Sequence, residues 1–384
     1  MTPDTEHQIA QFQSYLTHDA GNSLLRIELG DLYHHAGQFD LALEQYQACL
    51  ALAPEHTIAR SRSAGVYISK GQFSQAEAIL TELVAQGDTS VALQHTLGFA
   101  IYNQLRWEEA RACFTRAIEG GLDHPLTHAY LAKCLHQLGH IDAAIVAMQA
   151  SLALAPELEN LIYLARLHLD RGDSVAGAAL ATQVLARVPG HPEANAIVGM
   201  DQLEKNDIAL AKHHFASALS GEQNNALAWL GMALIDLREQ RLGPAIDALH
   251  VAISANPNNL GNRVTLGWAQ LCAGEFALAE AIFEAALVID RNFAESYGGL
   301  ATALALQQRF EEAEQQIGLA KRLSPRSFGA DMARSIILDA RGEHEAAGAL
   351  IGKALKRSPR EGSPALIARL QAMAARSAAK QTVH

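Results

Sequence analysis

Residues Val91 to His124 read VALQHTLGFAIYNQLRWEEARACFTRAIEGGLDH, and further along Leu260 to Phe293 read LGNRVTLGWAQLCAGEFALAEAIFEAALVIDRNF. Counted from its first residue, each stretch places Leu-Gly at positions 7 and 8 (Leu97-Gly98, Leu266-Gly267), Ala at 20 (Ala110, Ala279) and Phe at 24 (Phe114, Phe283). A fixed period of this size decides an architecture before any local reading does. Working outward, units begin at Ser23, Thr57, Val91, Pro125, Leu158, Pro192, Ala226, Leu260, Ala294 and Phe328, every step being 34 residues except the 33 from Pro125 to Leu158.

Position 20 of the units holds Ala42, Ala76, Ala110, Ala144, Gly177, Ala211, Ala245, Ala279, Ala313 and Ala347. Position 8 is as restricted: Gly30, Ala64, Gly98, Ala132, Ala165, Gly199, Ala233, Gly267, Ala301 and Ser335. Small residues at one point on each helix of a hairpin let the two axes approach where they cross. A bulky side chain there would overpack the crossing at a cost of roughly 1–3 kcal/mol. Position 24 supplies the complementary bulk as Tyr46, Leu80, Phe114, Met148, Phe215, Leu249, Phe283, Ile317 and Ile351, with Ala181 the exception. Position 17 is likewise large except at Ser174 and His344. Small against large at constant offsets fills layers without voids.

The punctuation agrees with two helices per unit. Gly37, Gly71, Gly139, Gly172, Gly274 and Gly342 stand at position 15, where the first helix should end on a left-handed residue. Pro54, Pro156, Pro189, Pro257, Pro325 and Pro359 stand at position 32 and stop the second helix.

This pattern resembles the tetratricopeptide-repeat family over about 340 of the 384 residues. The resemblance implies an all-α, right-handed superhelical solenoid of about ten helical hairpins with terminal capping helices. It also implies a non-catalytic scaffold or adaptor that holds a peptide or amphipathic helix of a partner in its concave groove. The alternative is a targeting or regulatory subunit of an enzyme or of a secretion or polysaccharide-assembly machine. The family's aromatic at position 11 survives only as Tyr33 and Tyr67, and that at position 4 only as Trp229 and Tyr297. Unit five combines the short step with Ser174, Gly177 and Ala181, so a softer joint is expected near residues 157 to 180.

Residues 1–22 read as a half-repeat or capping helix, with Phe12 and Leu16 at its packing positions. The ten repeats occupy 23–361, and 362–384 reads as a C-terminal capping helix and basic tail, with Leu366, Ile367, Leu370 and Met373 on one stripe. The formal net charge of −11 argues against a general nucleic-acid binder. From Lys321 to the end there are 12 Lys or Arg against 5 Asp or Glu, a local +7 that leaves −18 for the rest. That basic end, with Lys353, Lys356, Arg357 and Arg360, is either solvated surface or suited to anionic lipid, nucleic acid, an acidic partner, or self-association with the acidic body of another copy. No apolar run reaches the roughly 18 residues of a membrane span, and the N-terminus shows no basic-then-apolar leader, so a cytoplasmic location is expected. Cys49, Cys113, Cys134 and Cys272 are far apart and read as reduced thiols.

By the family resemblance, positions 2, 5, 9, 12 and 13 of each first helix face the groove. Repeats three to five then present Phe99, Tyr102, Lys133, His136 and Arg166, together with His95, Asn103, Gln137 and Tyr163. Repeats six to eight present Met200, Leu203, Leu230, Leu234, Trp268 and Leu271, with Leu237 and Val264. These apolar positions are either a solvent-facing patch that marks a binding site or ordinary core between hairpins. On the first reading a partner lays its apolar face on Leu230, Leu234, Trp268 and Leu271, and its acidic or polar end meets Lys133 and a forked Arg166. Three consecutive repeats that would build the family's clamp for a chain-terminal carboxylate are absent. His124, His128, His136 and His140 include two HxxxH spacings, but Pro125 and the turn at Gly139 break the shared face, so no metal is expected. The sequence contains no nucleotide-loop, nucleophile-elbow or zinc-protease motif, so neither catalytic residues nor a cofactor are expected.

Overall fold

The computed structural model describes residues 3–357. Every regular element among them is an α-helix, and the chain forms two compact units divided between Leu180 and Ala181. Unit one holds α1 (Pro3–His18), α2 (Ser23–His35), α3 (Phe39–Leu52), α4 (Thr57–Ser69), α5 (Phe73–Ala85), α6 (Val91–Tyr102), α7 (Trp107–Glu119), α8 (Pro125–Gln137), α9 (Ile141–Leu154) and α10 (Leu158–Asp170). The division falls inside α11 (Ser174–Arg187), next to the segment expected to be softer. Unit two continues with α12 (Pro192–Glu204), α13 (Ile208–Gly221), α14 (Ala226–Arg238), α15 (Leu242–Ala255), α16 (Leu260–Ala273), α17 (Phe276–Ile289), α18 (Ala294–Leu306), α19 (Phe310–Leu323), α20 (Phe328–Ala340) and α21 (His344–Arg357).

From α2 onward, each even-numbered helix begins at position 1 of the 34-residue count and each odd-numbered one at position 17. Side chains cap several of the first helices. Asn22, Asn225 and Asn259 accept the N–H three residues on, as do the imidazoles of His56 and His191. The turn at position 15 is left-handed even where glycine is missing: Leu105, Asn206, Gln240 and Gln308 have φ between 60° and 64°. Second helices end in two ways. Some turn extended, at Ala53 before Pro54 and also at Glu222 and Asp290, where no proline follows. Others close on a left-handed glycine: Gly87 at φ 95° ends α5, with Gly87 N–H bonding Val84 O and Asp88 N–H bonding Leu83 O.

The small positions turn out to be seats for rings. A Cβ added at Gly30 would stand 2.5 Å from the Tyr46 ring, at Gly98 3.0 Å from Phe114, at Gly199 2.6 Å from Phe215 and at Gly267 2.5 Å from Phe283. The same rings also abut the next hairpin, Phe215 at Gly231 and Phe283 at Gly299. Position 24 is therefore held by position 8 of its own repeat and position 6 of the following one, and this joins hairpins into a stack. Tyr46, Phe114, Phe215 and Phe283 are all fully buried.

Two copies of one polar network reinforce the stacking. In unit one Arg106 bonds Glu77 at 2.7 Å and Glu109, while Gln104 Nε2 donates to Glu77 at 2.7 Å. In unit two Arg309, Glu280, Glu312 and Gln307 repeat the arrangement. Both networks are open to solvent, so screening keeps each pair weak.

At the N-terminus α1 buries Ile9 and rests Phe12 and Leu16 on the cluster around Tyr46. The expected C-terminal capping helix and tail, with Pro359 and Arg360, lie outside the described residues. No helix of the described residues is long and apolar enough to cross a membrane.

Candidate partner-binding faces

In unit one, α6, α8 and α10 bring their residues together through aromatic packing. Phe99 and Tyr102 of α6 meet Tyr130 of α8 edge-on at 5.0 and 5.1 Å between ring centroids. Tyr130 also stacks on the buried Phe114 at 5.8 Å, and Tyr102 rests against Trp107. Phe99, Tyr102 and Tyr130 are all half-buried, so their upper faces meet solvent. Lys133, one turn along α8, holds its ammonium 5.3 Å from the Tyr130 ring centre and 5.7 Å from that of Tyr163 on α10. Cation–π contact of this kind positions a lysine without neutralising it.

The neighbouring charges are already matched. His136 receives the Tyr163 hydroxyl at Nδ1 (2.8 Å) and faces Asp170 at Nε2 (3.1 Å). A carboxylate only accepts, so Nε2 carries a proton toward Asp170. Asp170 also lies 3.8 Å from Arg166 Nε. The Arg166 guanidinium thus lies beside a carboxylate of its own helix, α10. Asn103 Nδ2 is turned back onto the Phe99 carbonyl at 2.8 Å. Lys133 differs from these, because no carboxylate among the described residues comes within ion-pairing reach of it. Burial raises the phenols of Tyr102, Tyr130 and Tyr163 above their ordinary range, so they are hydrogen-bond donors throughout neutral pH. Tyr130 and Asp170 were not picked out from sequence. The recurrence of tyrosine at position 6 in two successive repeats, Tyr130 and Tyr163, was the signal that could have found the former.

Unit two departs further from expectation. Leu203 and Leu271 are core, 2% and 0% exposed, and cannot touch a partner. Both sit at position 12, four residues after the small residue of position 8, and so share the helix stripe that faces the second helix. Met200 and Leu234 are half-buried against the Phe215 cluster, and Leu230 and Leu237 against that of Leu249. Trp268 is half-buried as well, but its ring lies 6.2 Å from Phe283 and 5.9 Å from Phe328. Phe328 opens α20, which packs closely along α18. Gly298 and Gly329 meet backbone to backbone, and Thr302 Oγ1 donates to the Gly329 carbonyl at 3.1 Å. The chain itself thus covers much of the apolar surface on α16 and α18.

Three of the four histidines that share metal-like spacing, His124, His128 and His136, have other partners. His124 caps α8 by accepting the Leu126 N–H, and His128 faces Asp123 at 3.0 Å. Among the described residues no cluster of three or more His, Cys, Asp or Glu could hold a metal ion.

Stacked two-helix units with a repeated ring-in-glycine joint define a helical-repeat solenoid protein. Tetratricopeptide-repeat family models match residues 35–98, 100–159 and 264–327. The chain belongs to the tetratricopeptide-repeat family. Solved structures agree on the fold. The human IFIT1 dimer with PPP-AAAA is 16% identical, with 98% of this chain and 94% of that chain covered and a TM-score of 0.54. Cut9, in the APC/C hetero-tetramer Cut9-Hcn1, is 19% identical with a TM-score of 0.50; the match covers 76% of this chain and only 58% of the length of that one. At such identities the likeness is one of fold. No curated protein matches this sequence.

Proposed function

We propose that the protein is a non-catalytic scaffold or adaptor, and that the face shared by α6, α8 and α10 in unit one is where it holds a partner polypeptide. The observation that carries this reading is the set of half-buried aromatics on three successive first helices, Phe99 and Tyr102 packed on Tyr130, with Lys133 over Tyr130 and Tyr163. Aromatic side chains that stay half-open, beside a charge with no internal partner, are the composition of a protein-binding surface and not of a core. His136 and Arg166 fix the rim of that surface through Asp170. In unit two Met200, Leu230 and Leu234 form a second, apolar candidate face, to which Trp268 contributes only the part of its ring that Phe328 leaves open. A targeting or regulatory subunit would use the same faces and differ in the identity of what is bound.

All four native cysteines are buried, so a single introduced thiol can be labelled selectively. Gln137, exposed at the end of α8, and Gln149, exposed on α9, are suitable sites. A polyethylene glycol chain on Gln137→Cys should abolish co-purification of bound polypeptides, and the same chain on Gln149→Cys should not. Equal retention by both would remove the α6–α8–α10 face from the account.

A further inference from the structure

Resting on the reading that the α6–α8–α10 face holds a polypeptide, we infer that Lys133, assisted by the hydroxyls of Tyr102 and Tyr130, receives the side-chain carboxylate of an acidic segment of that partner. The inference follows from which donors are spent and which are not. Asn103 donates to Phe99, and Arg166 and His136 face Asp170, so three polar groups around the site already have internal partners. Among the described residues the Lys133 ammonium has only the rings of Tyr130 and Tyr163 beneath it. Among the described residues the hydroxyls of Tyr102 and Tyr130 have no hydrogen-bond partner. The ring centres of Tyr102 and Tyr130 are 5.1 Å apart, and Lys133 lies one turn from Tyr130, so ammonium and phenols belong to one small area.

One cation and two neutral donors suit a single carboxylate. A chain terminus or a phosphate would call for several converging cations, and here the arginine and the amide are committed elsewhere. An anion placed over Lys133 gains charge-assisted hydrogen bonds while the half-buried rings keep water away from one side. Tyr130 and Tyr163 flank the ammonium with half-buried aromatic surface, and Phe99 packs against Tyr130, so the residue next to the acidic one is apolar. The recognised element is an Asp or Glu beside an aromatic or aliphatic side chain, within an extended segment.

The test is selection from random twelve-residue peptides displayed inside a loop of a carrier protein, so that no free terminus is present, against the full chain and against Lys133→Glu and Lys133→Gln. The full chain should enrich peptides with Asp or Glu adjacent to an apolar residue. Both substitutions should leave the circular dichroism unchanged and weaken a selected peptide roughly tenfold or more, and replacing its acidic residue by the amide should add no further loss on Lys133→Gln. Peptides that enrich without acidic residues, yet are blocked by the Gln137 adduct, would overturn the inference and leave the binding face standing. A library that yields nothing blocked by that adduct would overturn both.

Discussion

Gly267 and Gly318 both lie inside helices, α16 and α19, yet an alanine at each should act in opposite directions. At Gly318 nothing lies within 4 Å of an added Cβ, so alanine brings its helix propensity and stabilises by roughly 0.8–1 kcal/mol. At Gly267 the same Cβ would stand 2.5 Å from Phe283, whereas ordinary contact begins at 3.4 Å, so the ring must retreat by the difference, 0.9 Å. It has little room to move, being fully buried and seated against Gly299 as well. Overpacking against an immobile ring belongs at the upper end of its range, about 3 kcal/mol. After the gain in propensity, Gly267→Ala should destabilise by roughly 2 kcal/mol. Shrinking the ring should relieve the clash, so Gly267→Ala with Phe283→Leu should lose at least about 1 kcal/mol less than the two single changes summed. A stack of repeats opens in parts, so hydrogen exchange of the α16–α18 amides is the appropriate assay, with urea melts as support. Stabilisation by both alanines, or simple additivity of Gly267→Ala and Phe283→Leu, would refute the ring-in-glycine account of how hairpins join.

Leu105 is 68% exposed with φ 62°, so Leu105→Gly relieves left-handed strain and should raise stability by roughly 0.5–1 kcal/mol, measured by thermal melting; a lower melting temperature would count against the strain. Burial pushes the Cys134 thiol up to about 12, and all four cysteines are buried, so Ellman's reagent at pH 8 should find no rapidly reacting thiol until denaturant is added. Burial also holds His34, His95, His168 and His214 below the usual imidazole range. The folded state then binds fewer protons than the unfolded one, so their stabilisation is present above the ordinary pKa of about 6.5 and is lost as pH falls below it. The urea midpoint should drop between pH 7 and 5.5, and less in His95→Gln; a flat profile would contradict the burial of neutral imidazoles.

The fold was legible because its joint depends on size at fixed offsets. Alanine at position 20, and glycine opposite tyrosine or phenylalanine as in Gly30–Tyr46 and Gly267–Phe283, leave an imprint that needs no coordinates. The left-handed turns at Leu105, Asn206, Gln240 and Gln308 did not show, because the packing of adjoining helices imposes that conformation whatever residue is present. The candidate site was partly legible. Counting groove positions points to Phe99, Tyr102 and Lys133 for the proposed face, but it cannot tell that Leu203 and Leu271 share the stripe of the small residues and are core. Nor could it show that α20 lies along α18, since that contact rests on one glycine pair, Gly298 and Gly329, outside the repeating columns. Which cation remains unpaired depends on rotamers: Arg166 turns to Asp170 while Lys133 lies over rings.

The most direct measurement is zero-length photo-crosslinking of captured polypeptides from a photoreactive residue at Gln137 compared with one at Gln149, followed by mass spectrometry of the joined peptides. Adducts at 137 that cluster on one acidic, apolar-flanked segment and vanish in Tyr102→Ala are predicted, with none at 149. Equal yields at the two positions, or adducts at 137 indifferent to Tyr102, would contradict the assignment of the binding face.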